Sequence, residues 1–532
     1  MPNSRRGRLI LGGVLLLFGA LSFSAALRES PTYDESTHLS SGRIYWETGR
    51  YRRDVLHTPL IRLWAALPLY ARDLAISGRS TSKDPLTVAE MNAGRFMIVV
   101  LSALLGFILW RWAFDALGAE AAWVSLAAFV FCPAMLEFSH LVTTDMGMAF
   151  FSTLALYAAW GYARAPSRSA AAAAGLAMGA ALMAKLSAAL LLPLCLGLAA
   201  FETDRAAFRG KGAWKKYSQP LAVYILCAAF VVLLCYRVVE LPRLLVGMQG
   251  IRDDLRVAVP HYFHGAYNDQ GGWLWFLPMT FLLKTPLPFL LLTGAGLGLL
   301  AARRYEKGRF AALWLLLPAA LVLAVSSVAS NQFGIRRILF LYPPLCLFIG
   351  GAWTSLRKIS RSWIWPGGAL ALWYAGSTLF LFPRYLSYFN ESVGGPSQGY
   401  RYLLDCNLDW GQGLKSLGRY LEEQDVHQIY LCYFGAYDPH AYGINYLPIA
   451  PEEPGASVAD GPEEIRKEKK VLFVVSATNL EGLYYKDHRT FDWLKTRSPA
   501  AVLMDSLWVY DVTEDADALE RLADLYHGKG SR

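Results

Sequence analysis

What most constrains this chain is a succession of apolar runs long enough to cross a bilayer. The first, residues 9–27, is rich in Leu, Gly and Ala and supplies the roughly 20 residues a helix needs to traverse the hydrocarbon core. Further spans are read at 94–114, 121–131, 146–162, 170–184, 188–201, 221–236, 273–302, 311–328, 338–353 and 363–382, about eleven in all. Backbone groups in lipid must be hydrogen-bonded within their own segment, so such runs dictate helices. A composition of 55% hydrophobic and 17% charged residues agrees. A cleaved secretory leader is the competing reading of the first run. The many runs that follow, and the want of a compelling small-residue cleavage site, argue against it.

Charge orients these spans. Arg5, Arg6 and Arg8 precede the first run, and the positive-inside bias puts the N-terminus in the cytoplasm. The stretch 170–201 is too long for one simple span, and Lys185 near its middle predicts two short helices meeting at a turn. Counting it as two places the basic clusters Arg205/Arg209/Lys211/Lys215/Lys216, Arg303/Arg304/Lys307/Arg309 and Arg357/Lys358/Arg361 in the cytoplasm. Counting it as one would put them all outside. The net charge of +9 then needs no nucleic-acid partner, because lysines and arginines facing anionic membrane lipids account for much of it.

After residue 382 the character changes. Residues 384–532 are mixed polar and apolar, with strand-like segments at 429–434, 471–476 and 501–512 and a helix over 414–423. Residues 451–470 read as an exposed loop, acidic and then basic. This length suffices for one soluble α/β domain, on the same membrane face as the first loop, 28–92. The expected fold is therefore a polytopic α-helical membrane domain over 1–383 with a C-terminal extracytoplasmic α/β domain. Of seven cysteines, Cys132, Cys195, Cys227, Cys235 and Cys346 lie in or beside apolar runs and suit packing. Cys406 and Cys432 lie outside them, and a disulfide between them stands open beside two free thiols.

The first loop opens with Tyr33-Asp34-Glu35 and continues through His38, Gly49 and His57-Thr58-Pro59-Leu60. Residues 39–47 and 60–74 have the amphipathic character of helices lying in the membrane interface. A carboxylate held there can take a proton from a hydroxyl arriving from water while facing a lipid-borne partner. The plainer reading is a solvated acidic pair at a helix N-terminus, favoured by the helix dipole. Asp145, which opens the fourth span after Ser139-His140-Leu141-Val142-Thr143-Thr144, sits where a carboxylate is costly unless paired or in a cavity. Cations gather near the same face: Arg95, Lys185, His261, His264, Lys284, Arg336 and Arg337. Arginine and lysine suit a phosphate, although snorkelling also explains Arg95 and the arginine pair.

These motifs resemble the GT-C glycosyltransferases of the protein O-mannosyltransferase type, glycosyltransferase family 39, which includes the aminoarabinose transferases of lipid A. The resemblance runs through Tyr33-Asp34-Glu35, Gly49, His57-x-Pro59-Leu60, Leu141-Val-Thr-Thr-Asp145, Met183-Ala-Lys185, Lys284-Thr-Pro-Leu-Pro288, Gly334-Ile-Arg-Arg337 and Tyr342-Pro-Pro344, and covers roughly residues 1–390. It implies a polyprenyl-phosphate-linked sugar as donor and inverting transfer to a protein, lipid or glycan hydroxyl on the extracytoplasmic face of a bacterial inner membrane. Asp34 matches the family's catalytic acidic position, with Glu35 orienting it, binding the acceptor or replacing it. Asp145 matches the second acidic position. His57, Arg95, Lys185, Lys284, Arg336 and Arg337 become candidate substrate contacts. A divalent cation is possible, because members of the superfamily differ in that respect. Thr58 departs from a common second proline, and no MIR-type repeat insertion is evident. The segment Asp405-Cys-Asn-Leu-Asp409-Trp-Gly-Gln412 looks like a motif of uncharacterised bacterial members, with no chemistry attached. Two other classes stay in view: a secondary transporter, which predicts mid-span charges and repeat symmetry, and a membrane scaffold with an extracytoplasmic sensor domain.

Overall fold

The computed structural model describes residues 5–77, 85–203, 213–254, 256–450 and 469–526. The expected loop at 451–470 and the basic cluster from Arg205 to Lys216 fall largely outside the described residues or side chains.

The chain opens with α1 (Arg5–Ala26), then α2 (Glu35–Thr48) and α3 (Leu60–Ser77) in the first loop. The long α4 (Val88–Leu117) follows, its start fixed by a capping box in which Thr87 and Glu90 satisfy each other's backbone N–H groups. Next come α5 (Ala119–Val130), the single-turn α6 (Pro133–Phe138), α7 (Asp145–Arg164) and α8 (Arg168–Ala184). As the basic residue at 185 suggests, α8 stops there: Lys185 is extended, and a 3₁₀ turn leads into α9 (Leu191–Thr203). Then come α10 (Ala213–Cys235), α11 (Pro242–Asp254), the hairpin β1 (His261–Phe263) and β2 (Ala266–Asn268), α12 (Phe276–Lys284) and α13 (Leu287–Ala301). Residues 273–302 are thus two helices bent by 116°, rather than one span. Pro286 explains the break: proline lacks the N–H a helix interior needs, and it disfavours helical backbone at Thr285, which is extended.

Among the described residues six helices are long and apolar enough to cross a membrane, or seven if the bent pair is one span. The expected eleven is not reached on that criterion. Part of the shortfall is length: Ala119–Val130, with 12 residues, rises only about 18 Å against a hydrocarbon core of about 30 Å.

The C-terminal region carries a five-stranded mixed sheet ordered β4-β3-β5-β7-β6, built from β3 (Gln428–Cys432), β4 (Asn445–Pro448), β5 (Leu472–Ser476), β6 (Ala501–Leu503) and β7 (Leu507–Asp511). The stretch 501–512, read as one strand, is a hairpin; Met504 and Asp505 both take positive φ in its turn. Strand alternation buries both faces. Ile429, Leu431, Val474, Leu507 and Val509 pack under the helix Leu414–Gln424, whereas Tyr430, Cys432, Phe473, Val475, Trp508 and Tyr510 join the core continuous with the membrane helices. All seven cysteines are free. Cys406 Sγ reaches Phe333 O at 2.6 Å and Cys432 Sγ meets the Tyr485 hydroxyl at 3.2 Å, so no disulfide joins them.

Candidate functional site

The two neighbours Asp34 and Glu35 part company at the start of α2. Glu35 is fully buried. Its Oε2 accepts from Arg95 Nε at 2.9 Å and Val142 N at 3.1 Å; its Oε1 accepts from Arg95 Nη2 at 2.6 Å and Thr32 N at 2.9 Å. Burial alone would raise this carboxyl, but the Arg95 charge and these bonds hold it below its usual value. Arg95 donates further to Ala26 O, Glu29 O and Ser30 O, so all five guanidinium N–H groups are taken. Two expectations are corrected here. Arg95 has no donor left for a phosphate, and Glu35 has no free face to serve as a base; together they rivet the first loop to α4.

Asp34 is placed otherwise. Its side chain is 31% exposed and its Oδ2 accepts from Arg336 Nη1 at 2.6 Å. Arg336 lies between two rings, 4.5 Å from the centroid of Trp410 and 5.1 Å from that of Phe333. Asp145, buried at the start of α7, takes Lys185 Nζ at 2.5 Å, and Lys185 remains 25% exposed. Arg336 acts electrostatically on both Asp145 and Lys185, as Arg337 does on Lys185. Arg337 Nη2 also donates to Asn331 Oδ1 at 2.6 Å. The structure therefore gathers Asp34, Asp145, Lys185, Arg336 and Arg337 from four separate stretches.

His57 flanks this group. Its ring is 38% exposed, with Nδ1 at 3.1 Å from Asp54 Oδ2, and it stands edge-to-face with His38 at 4.9 Å. Arg62 ties the pair together, donating through Nε to His38 Nδ1 at 2.9 Å and through Nη2 to Asp54. Burial raises Asp54, but the His57 hydrogen bond and Arg62 outweigh it and bring its carboxyl down to about 2. Burial, with Arg62, His57, Arg336 and Lys185 nearby, holds His38 well below the usual histidine value. α2 and α3 can hold these residues because they touch: a Cβ on Gly42 would lie 2.1 Å from Arg62 O.

Lys284 is also corrected. It is buried, donates to Leu386 O at 2.6 Å and to Asn407 O, and sits 4.4 Å over the Phe389 ring, so it ties helices to the C-terminal region instead of facing a ligand. His261 Nδ1 lies 2.6 Å from Val259 O and its Nε2 accepts from Gln332 N at 3.1 Å, while His264 stacks on Tyr402.

Sequence reasoning passes over Asp54 and Arg62 and gives His38 and Trp410 no role. His38 carries a signal, lying one helical turn beyond Asp34 and so on the same face of α2. Trp410 lies in the segment to which no chemistry was attached. That segment is a clamp. Trp410 O accepts from Tyr33 N at 2.9 Å, Gln412 O from Ser30 N at 3.0 Å, and Asn407 Oδ1 from Ile335 N at 3.0 Å. Gly334, at φ +71°, is required there, since a Cβ would strike Asn407.

As for a metal, Arg336 and Lys185 already pair with Asp34 and Asp145. Among the described residues, the group of three His, Cys, Asp or Glu with donor atoms within 4.8 Å of one another is Glu29, Glu137 and His140, and it includes neither Asp34 nor Asp145.

Residues 86–236, which contain Arg95, Asp145 and Lys185, match the family model of dolichyl-phosphate-mannose-protein mannosyltransferases. No curated protein matches the chain by sequence. Among solved structures, the archaeal oligosaccharyltransferase AglB from Archaeoglobus fulgidus, in complex with an inhibitory peptide and a dolichol-phosphate, aligns with a TM-score of 0.50 at 11% identity, covering 86% of this chain and 62% of its own. ArnT from Cupriavidus metallidurans bound to undecaprenyl phosphate aligns with a TM-score of 0.49 at 14% identity, over 95% and 98%. The S. cerevisiae protein O-mannosyltransferase Pmt1-Pmt2 complex bound to the sugar donor gives 0.36 at 19%, over 46% and 34%. Residues 86–236 are thus similar to the protein mannosyltransferase family model, and the chain shares its fold with an archaeal oligosaccharyltransferase.

Proposed function

We propose that the chain transfers a sugar from a polyprenyl-phosphate-linked donor to an acceptor hydroxyl on the extracytoplasmic face of a bacterial inner membrane, with inversion. In this reading residues 1–383 form the catalytic membrane domain, with the N-terminus cytoplasmic, and residues 384–532 an extracytoplasmic domain facing the acceptor. The observation that carries the reading is the Asp34–Arg336 pair, at 2.6 Å, beside the Asp145–Lys185 pair. A carboxylate and a guanidinium are poised together on a partly open surface, which suits a reaction that needs both a proton acceptor and an anion holder.

The step follows from those roles. The donor phosphate engages Arg336, Arg337 and Lys185, and Arg336 in turning to the phosphate releases Asp34. Asp34 takes the acceptor's hydroxyl proton as that oxygen bonds to the anomeric carbon. The bond from that carbon to the phosphate oxygen breaks, and the phosphate leaves with its electron pair, held by the cations. A phosphate needs no protonation to leave, so the separate general acid of a glycosidase is dispensable. Asp145 keeps Lys185 in place, and His57, backed by Asp54, borders the acceptor side. Glu35 and Arg95 act as positioning residues.

The test is turnover of radiolabelled polyprenyl-phosphate sugars by membranes carrying wild type, Asp34→Asn or Asp145→Asn at matched expression, with cell extract supplying acceptors. Label leaving the lipid pool in wild type alone supports the reading. No wild-type turnover with any donor would turn it towards transport or sensing.

A further inference from the structure

Glu29, Glu137 and His140 lie buried beside the Glu35–Arg95 pair, at 2%, 1% and 0% exposure. Buried charges are normally paired, hydrogen-bonded or bound to a metal. Here, among the described residues, both Glu137 carboxylate oxygens and Glu29 Oε1 have no hydrogen-bond partner. The neighbouring cations do not supply one. Arg95 spends its N–H groups on the Glu29 carbonyl and elsewhere, and Lys284 spends its ammonium on two carbonyls and a ring face.

The histidine sharpens the deficit. Ser22 Oγ donates its hydrogen to Leu136 O at 3.0 Å, so towards His140 Nδ1, at 3.3 Å, it can only accept. Nδ1 therefore carries the ring proton, and the Nε2 lone pair of neutral His140 faces Glu29 Oε2 at 3.1 Å and Glu137 Oε1 at 3.9 Å. Lone pairs at that separation repel unless a carboxyl proton or a cation lies between them, and one proton on Glu29 Oε2 would still leave both Glu137 oxygens without a partner. Two ligands on one metal at bond lengths of about 2.0–2.2 Å stand about 3.0–3.5 Å apart, close to the Glu29–His140 spacing. A metal-binding histidine is usually oriented by a hydrogen bond from its other ring N–H, commonly to a carboxylate, a carbonyl or water, and Ser22 Oγ takes that place here.

We propose that Glu29, Glu137 and His140 form an internal site for one first-row divalent cation of the zinc or manganese class. Two carboxylate oxygens and one imidazole nitrogen suit such an ion better than calcium or magnesium, which prefer oxygen alone. The ion would join the first loop to the turn before α7. Glu29 stands a few residues ahead of Asp34, and His140 as far ahead of Asp145, so, on the function proposed above, the site would fix the proton-accepting carboxylate relative to the one that holds Lys185. This does not depend on which sugar or acceptor is used.

To test it, the full-length protein would be expressed in medium supplemented with zinc and manganese, purified in detergent without chelator, and its metals counted by plasma mass spectrometry. The expected result is about one ion per chain in wild type and in Asp34→Asn, falling by about tenfold or more in Glu29→Gln/Glu137→Gln. Folded wild type without metal would overturn the proposal in favour of a shared proton. An ion lost from Asp34→Asn but kept by the glutamine variant would overturn it too, by assigning the ion elsewhere. Should the glutamine variant not fold, X-ray absorption on wild type decides. A nitrogen and oxygen shell with one imidazole is expected, and a thiolate shell would contradict it.

Discussion

Two ion pairs that open α2 side by side behave as opposites. Glu35–Arg95 is closed: both side chains are at most 1% exposed, and every guanidinium hydrogen has an acceptor. Asp34–Arg336 is open, at 31% and 17% exposure, with one direct bond and two aromatic faces around the cation. The first pair is a fastener, whose partners cannot be exchanged without unpairing buried charge. The second has room to trade partners, as the proposed binding of a phosphate and uptake of a proton would require.

The comparison breaks at defined points. The largest effect is expected for Asp34→Asn, with turnover of donor lipid down by about 10²–10⁴ and folding intact, read by label release and size-exclusion profile. Arg95→Met should do the reverse. Leaving Glu35 buried without its partner costs about 3–5 kcal/mol, read as a fall in melting temperature and folded yield, with lost activity following lost protein. Arg336→Gln should raise the donor KM by about 10–100-fold, the worth of a hydrogen bond to a charged group, with a smaller change in melting temperature. Trp410→Leu removes one face of the cation cradle and should cost a few-fold to about thirtyfold in the same KM, with Trp410→Phe recovering part of it.

The smallest effect concerns pH. His38 is held neutral in the folded protein, its pKa lying below the usual 6.5. The unfolded chain therefore binds the extra proton first, and stability falls as pH drops below about 6.5, levelling off under the folded value. His38→Gln should flatten that part of a melting-temperature profile. An unchanged slope would assign it to another group.

Legibility in the sequence tracks how local each cause is. The break at Lys185 is readable because a lone charge in an apolar stretch has few solutions. The bend at Pro286 carried an equally local signal, but hydrophobic length hides it. The hairpin at Met504-Asp505 lacks the glycine or asparagine that marks such turns. Asp34 and Arg336 each stand out, but their meeting is long-range and only the fold supplies it. Arg95 and Lys284 stand out for the wrong reason: a buried cation bound to carbonyls and one facing a ligand look alike in sequence. Nothing singles out Glu29 or Glu137, whose meaning lies entirely in what surrounds them.

The most direct test of the exchange at Arg336 is binding of a polyprenyl phosphate without sugar to wild type and to Asp34→Asn. If Asp34 and the phosphate compete for Arg336, the variant binds the lipid phosphate more tightly than wild type while losing turnover. Binding weakened or unchanged in Asp34→Asn would contradict the exchange and leave the pair as a fixed structural contact.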